Sequence, residues 1–266
     1  MKKALYLGAF LVLAAQLPVW GYDTSPSRLQ IVPEVIWAPA TGGGTWVTEI
    51  QITCRGDVTA FISAYFDYAD GSRGPITLHA GLLKNHNARF PNILSQLQAL
   101  DSSFTYYGRV GALTVFSADA MSQIQVQAKT INGNYGKTFP GLNPLVSTTA
   151  AVSRPMMIQD LVQNAKYRTF IGAYNEYNTS MTVKFVIEDA NANIVGAAFT
   201  KTIDPLRFVS FNPFVEAGVP TGTYENCWLF IEVTVGGTGT DGVMCFGSIA
   251  NNYTNDSYAL MARMFI

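Results

Sequence analysis

The chain is predicted to be all-β, folded as two tandem antiparallel β-sandwich domains. Three observations predict it: a long internal repeat, apolar residues alternating with a period of two, and turn residues between the alternating runs. Trp46-Val47-Thr48-Glu49-Ile50 recurs as Tyr167-Arg168-Thr169-Phe170-Ile171, an offset of 121 residues (167 minus 46). Without a gap, the same offset lays Ala60, Ile62, Ala64 and Phe66 over Met181, Val183, Phe185 and Ile187. It also lays Ala69-Asp70-Gly71 over Ala190-Asn191-Ala192, and Phe90-Pro91-Asn92-Ile93 over Phe211-Asn212-Pro213-Phe214.

Taken in order, the first long strand carries Trp46, Thr48, Ile50, Ile52 and Cys54 on one face, with Glu49, Gln51 and Thr53 between them. Ile124, Val126 and Ala128 alternate with Gln123, Gln125, Gln127 and Lys129. Met181, Val183, Phe185 and Ile187 alternate with Thr182, Lys184 and Glu188. One dry and one wet face is the pattern of antiparallel sheets packed on one side. Further strands are expected at 111–117, 227–235 and 243–250. Turns are expected at Gly42-Gly43-Gly44, Asp70-Gly71, Asn191-Ala192 and Gly236-Gly237-Thr238-Gly239. Helix is scarce. Ile93, Leu94, Leu97 and Leu100 follow helical spacing behind Asn92, an N-cap residue, and 213–217 is a weaker echo. Residues 142–155, without alternation and closed by Pro155, read as a linker between domains at 29–141 and 156–266. Residues 22–28 are expected to be a loose N-terminus.

The opening aromatic-x-Thr-x-Ile, an alternating strand and Ala-Asp-Gly, and the closing turns Asn132-Gly133-Asn134-Tyr135-Gly136 and 251–256 carry a resemblance. The chain resembles tandem modules of secreted bacterial proteins, with Cys54 departing from their usual Asn. The resemblance implies two immunoglobulin-like sandwiches in an exported protein, and it implies no activity.

Composition agrees with export. Charged residues make up 13% of the chain, against roughly 25% in ordinary globular proteins. Lys2 and Lys3 followed by the apolar run 4–17 read as a signal peptide over residues 1–21. That run is too short to span a membrane, and no later one is long enough. The mature chain is expected to be secreted, periplasmic or at the cell surface, with no transmembrane segment. With 17 Lys and Arg against 18 Asp and Glu there is no basic excess to neutralise phosphates, so no nucleic-acid partner is expected. The three cysteines exclude a complete disulfide framework. If 227–235 and 243–250 form one hairpin, Cys227 faces Cys245, leaving two readings open: a cross-strand disulfide or two buried thiols. Cys54 shares the phase of Ile50 and Ile52 and reads as a core residue.

The candidate sites are few. His79 and His86 lack zinc-ligand spacing, and Asp67 to Ser72 lacks the alternating ligands of a calcium loop, so no metal or other cofactor is expected. Arg55-Gly56-Asp57 spells an adhesion tripeptide, but Gly-Asp after a strand is ordinary turn chemistry. Aromatic residues out of phase with the core are the better candidates for ligand binding: Tyr65 beside Phe61, Trp228 beside Phe230, and the loop pair Tyr106 and Tyr107. Flat rings of this kind stack on sugars or pack on another protein. No Gly-x-Ser-x-Gly elbow, His-Glu-x-x-His, Cys-x-x-Cys or phosphate loop is present. The expected function is therefore non-catalytic: an adhesive, structural or assembly role toward a protein or glycan at the cell surface. The alternative is a carbohydrate-binding accessory module using the exposed rings. N-terminal sequencing of the exported protein is expected to start at Tyr22; a mature chain that keeps Lys2 and Lys3 would contradict the leader.

Overall fold

The computed structural model describes residues 23–40, 43–133, 135–143, 155–236, 242–254 and 257–264. The expected leader, residues 144–154 of the expected linker, and 237–239 of the expected Gly-rich turn lie outside the described residues. The fold is all-β with antiparallel sheets. The first half runs β1 (Leu29–Pro39), β2 (Thr45–Cys54), β3 (Ala60–Tyr68), β4 (Gly71–Leu82), β5 (Asn87–Phe90), α1 (Ile93–Leu100), β6 (Arg109–Ser117), β7 (Ile124–Asn132) and β8 (Tyr135–Pro140). The second runs β9 (Met156–Gln163), β10 (Tyr167–Asn175), β11 (Met181–Glu188), β12 (Phe199–Ile203), β13 (Arg207–Phe211), α2 (Pro213–Glu216), β14 (Tyr224–Val235), β15 (Val243–Asn251), β16 (Ser257–Met261) and β17 (Arg263–Met264).

In the first half the layers are β4-β3-β6-β1 and β5-β2-β7-β8, joined where Trp37 to Pro39 pair with Thr45 to Val47. In the second half they are β12-β11-β14-β9-β17 and β13-β10-β15-β16. The strand order therefore recurs, and so does the register. Ile50 faces Phe90 and Ile171 faces Phe211, each residue shifted by the same 121. Immunoglobulin sandwiches place the first strand beside the second and the last beside the sixth. Here β1 lies along β6 and β7 along β2, so the first and last long strands have changed layers.

Period-two alternation produces the cores directly. Ile50, Ile52, Cys54, Ile62, Ala64, Phe66, Ile124, Val126 and Ala128 are all buried between the first pair of layers. Met181, Val183, Phe185, Ile187, Leu229 and Ile231 do the same in the second. Each large aliphatic side chain so buried contributes roughly 1.5–3 kcal/mol. The helix at α1 forms as its spacing predicts: Asn92 Oδ1 accepts from Ser95 N at 3.1 Å, and Ile93, Leu94 and Leu97 are buried. Leu100, expected on the same face, is exposed at the helix end. Its echo α2 is capped by Asn212, which accepts from Phe214 N at 3.0 Å.

The repeated threonine ties the layers together. Thr48 Oγ1 on β2 accepts from Ile36 N of β1 at 2.9 Å and lies 2.9 Å from Thr130 Oγ1. Thr169 Oγ1 on β10 accepts from Val162 N of β9 at 3.0 Å and donates to Val162 O at 2.7 Å. Both threonines are fully buried.

Three expectations are corrected. Residues 23–28 are not loose: Ser27 exchanges backbone bonds with Ile124 at 3.0 and 2.7 Å, and Asn143 Nδ2 donates to Asp23 Oδ2 at 2.9 Å. Residues 142 and 143 belong to the first sandwich rather than to a linker, because Leu142 and Ile31 exchange backbone bonds at 2.8 Å. The hairpin expected to join Cys227 and Cys245 is absent. β14 pairs with β11 and β9, whereas β15 pairs with β10 and β16 in the facing layer. The reason is that β15 is buried on both faces and must sit at the centre of its sheet with a layer on each side. Cys54, Cys227 and Cys245 are buried thiols outside any disulfide, and burial raises the pKa of both Cys227 and Cys245. Among the described residues no helix is long and apolar enough to cross a membrane.

Thr48→Val is expected to lower unfolding free energy by about 1–3 kcal/mol, because it leaves a buried N–H unpaired. Thr169→Val should cost at least as much, since that hydroxyl serves both an N–H and a carbonyl, and Thr→Ser at either site should retain most of the stability. Urea denaturation measures all four; a Val variant as stable as the parent would remove the threonine from this role.

Candidate functional site

Tyr65 is half-buried and stacked on Phe116 with ring centroids 5.6 Å apart. Tyr107 is 47% exposed and meets Trp37 edge-on at 5.2 Å. Trp228 is half-buried on β14, in register with Glu188. Tyr106 is corrected: it is fully buried and belongs to the first core. Its ring packs 4.8 Å from Phe104 and 5.6 Å from Phe66, its backbone N donates to Gln98 Oε1 at 3.0 Å, and its hydroxyl donates to Asp101 at 3.3 Å. In a Tyr-Tyr pair of a loop that crosses the end of a sandwich, successive rings point opposite ways, and one closes the core. None of the three remaining rings lines the cleft described below.

The other polar candidates are also scattered. His86 is exposed after β4, and His79 is half-buried on β4 opposite Ile62. Arg55 donates to Gln125 Oε1 at 3.3 Å, and Asp57 is bound by Lys84. Among the described residues no group of three or more His, Cys, Asp or Glu side chains is gathered as a metal would need.

What the structure does bring together is the contact between the two halves. On the outer face of β13-β10-β15-β16, Tyr174, Phe208, Met244 and Phe246 are buried in one cluster with Phe66, Leu113 and Phe139 of the first half. Phe246 stands 5.1 Å from Phe139, edge to face, and 6.1 Å from Phe208, stacked. Gly172 makes room for it, because a Cβ there would run into the Phe246 ring. Polar pairs are set into this contact. The Tyr174 hydroxyl donates to Asp67 Oδ2 at 2.6 Å, with both side chains buried. Burial raises the Asp67 carboxyl above its ordinary value, against the lowering pull of Ser72, Tyr174 and Arg207. Burial, then the charge of Asp67, keeps the Tyr174 phenol protonated and therefore a donor.

Beside this packed region the halves part to form a cleft of about 240 Å³. Glu34, at the bulge of β1 between Val32 and Val35, meets Lys137 of β8 at 2.6 Å, with side chains only 10% and 8% exposed. Lys137 also donates across the joint to Ser248 Oγ on β15 at 2.8 Å. Trp46 lines the cleft from the first half, and Phe170 and Ser257 line it from the second. Arg168 stands at its edge over the Phe170 ring, 5.5 Å from the centroid, and donates to Asn252 Oδ1 at 2.7 Å. The Oγ of buried Ser257 has no hydrogen-bond partner among the described residues. Sequence reasoning missed this cleft. The available signal was Phe170 and Phe246, large apolar residues where the wet face of their strands was due.

No family model and no curated protein matches the chain. Among solved structures, Thermotoga maritima 1070 is similar at 14% identity over 43% of this chain and 93% of that one, with a TM-score of 0.32. The lectin from Pleurotus ostreatus in complex with GalNAc is similar at 12% identity over 91% and 80%, with a TM-score of 0.22. Its apo form scores 0.19 at 11% identity. None of these likenesses carries a functional argument.

The raised Asp67 carboxyl has a sign that can be measured. The folded state holds that proton more tightly than the unfolded chain, so Asp67 favours folding most below the ordinary carboxyl value of 3.8. The contribution falls as pH rises through the folded pKa. Asp67→Asn keeps an acceptor for Tyr174 without the charge, and it is expected to gain stability relative to the parent as pH is raised across that window. Urea denaturation at a series of pH values checks this; a difference independent of pH would refute it.

Proposed function

We infer that this chain is a non-catalytic exported protein. Its two immunoglobulin-like sandwiches, with first and last strands exchanged between layers, form one fixed-angle unit with an adhesive, structural or assembly role at or outside the cell envelope. The observation that carries the reading is the joint. An apolar patch on one sheet face of the second half packs on the first half through Tyr174, Phe208, Met244 and Phe246. Sandwiches joined only by a flexible tether need no such patch, and domain pairs with small polar contacts move freely. A load-transmitting or surface-presenting protein gains from a fixed angle, because its outward faces then hold a constant spacing.

The first half keeps the equivalent face wet. Glu49, Gln51, Thr53, Gln125, Gln127 and Lys129 project from β2 and β7, and Glu49 holds Arg89 in a two-point ion pair at 2.8 and 2.7 Å. That face is free for a partner while the second half's face is occupied.

Small-angle scattering of the exported chain should give a single compact particle with no sign of interdomain flexing. Gly172→Val should displace Phe246 and broaden the distance distribution, and it should lower retention of the protein by washed cell envelopes severalfold. A parent chain that already flexes freely, or a loosened variant retained as well as the parent, would sink the reading.

A further inference from the structure

The cleft at the joint has a chemistry of its own. The large majority of buried side-chain polar atoms in proteins find a partner, yet Ser257 Oγ, lining this cleft, has none among the described residues. The orphan hydroxyl points to a partner that enters from outside. Near it stand a buried carboxylate, a second hydroxyl on Ser248, and aromatic rings from both halves, Trp46 and Phe170.

The kinds of ligand that could enter are separated by charge and polarity. A purely apolar molecule would leave Ser257 unpaired and strip water from the Glu34–Lys137 pair, at a cost. An anion would be repelled by Glu34, whose charge offsets Lys137 2.6 Å away, and Arg168 is already engaged by Asn252 and the Phe170 ring. A cation would face Lys137 and Arg168. A neutral polyhydroxylated ring fits each group present. Its C–H faces pack on aromatic rings while its hydroxyls both donate and accept. The volume, about 240 Å³, falls below the ~300–1,000 Å³ of sites for drug-sized ligands and suits one ring.

We propose that this cleft binds a single neutral pyranose residue between Trp46 and Phe170, with hydroxyls on Glu34, Ser248 and Ser257. The proposal deepens the adhesive reading by naming a glycan as what is held, but it stands on the cleft alone. Loss of sugar binding would leave the scattering result for the joint untouched.

Calorimetric titration of the full exported chain with neutral hexoses, N-acetylhexosamines, glucuronic acid and inorganic phosphate tests it. At least one neutral sugar is expected to saturate one site per chain with a roughly millimolar Kd. Glucuronic acid and phosphate should bind about tenfold more weakly or not at all. Trp46→Ala and Ser257→Val should each weaken the sugar about tenfold or more. Phe170→Ala, at a half-exposed position outside both cores, gives a variant whose folding is not at stake. The proposal is overturned if no neutral sugar saturates by roughly 50 mM, or if the anions bind better. It is equally overturned if binding survives Trp46→Ala and Phe170→Ala but is lost in Trp228→Ala, which would move the site to the outer face of β14.

Discussion

Each half of the molecule hangs on a buried threonine hydroxyl that reaches from one layer to the other. A sandwich strand that bends, as β1 does at its bulge, turns a backbone N–H away from its ladder and into the interior, where an unpaired donor costs about 1–3 kcal/mol. Thr48 meets that need at Ile36, and Thr169 meets it at Val162. The side chain suits the place for two reasons. Its methyl group packs with the aliphatic core, and its hydroxyl both accepts and donates, as Thr169 does with the N–H and carbonyl of a single residue. The register of β2 and β10 follows, because a slip of one position would turn the hydroxyl, and every core side chain with it, to the opposite face of the sheet. This explains why Thr stands in phase with Ile50 and Ile52 on a face otherwise reserved for apolar residues.

The two copies share that frame and differ in what their outer faces meet. On β2 and β7 the outward positions are Glu49, Gln51, Gln125, Gln127 and Lys129; on β10 and β15 the central ones are Phe170, Gly172, Tyr174, Met244 and Phe246. A sheet face of the second kind cannot remain in water without a large exposed apolar patch. The first half supplies the cover, and the loss of a side chain at Gly172 lets one ring, Phe246, reach into the neighbouring core. The two halves share a strand order, and apolar residues on one face of the second are what join them.

Much of this was legible in the residues. The alternating runs, the Asn92 cap of α1 and the unbroken offset from Trp46 to Ile93 each report a local constraint, and the structure obeys them down to the pairing of Ile50 with Phe90 and Ile171 with Phe211. What was not legible depends on partners distant in sequence. A hairpin and an arch between layers have the same local pattern, so the Cys227–Cys245 pairing followed from adjacency and failed because β15 is dry on both faces. Tyr106 and Tyr107 have identical side chains in one loop, and only the Phe66 and Phe104 rings decide which is buried. The eight buried positions from Val243 to Ala250 did carry a message that alternation could not express, namely that this strand has two neighbours and no wet side.

Apolar contact alone would not fix the angle between the halves, since flat sheet faces lined with rings can rotate and slide with small change in buried area. The polar groups set into the joint remove that freedom. The Tyr174–Asp67 bond and the Lys137–Ser248 bond cross the joint and are directional, and a displacement that breaks either leaves a buried polar group without its partner. Leaving a buried polar group unsatisfied costs about 1–3 kcal/mol, more than such a bond gains net when it forms from solvated groups. Their contribution is therefore orientation rather than net stability. Orientation is also what the adjoining cleft requires, because its walls come from both halves and would lose their spacing if the angle drifted. Lys137, held by Glu34 within the first half, reaches across to Ser248 and lines the cleft as well, so the bond that helps to set the angle also helps to set the spacing of the cleft walls.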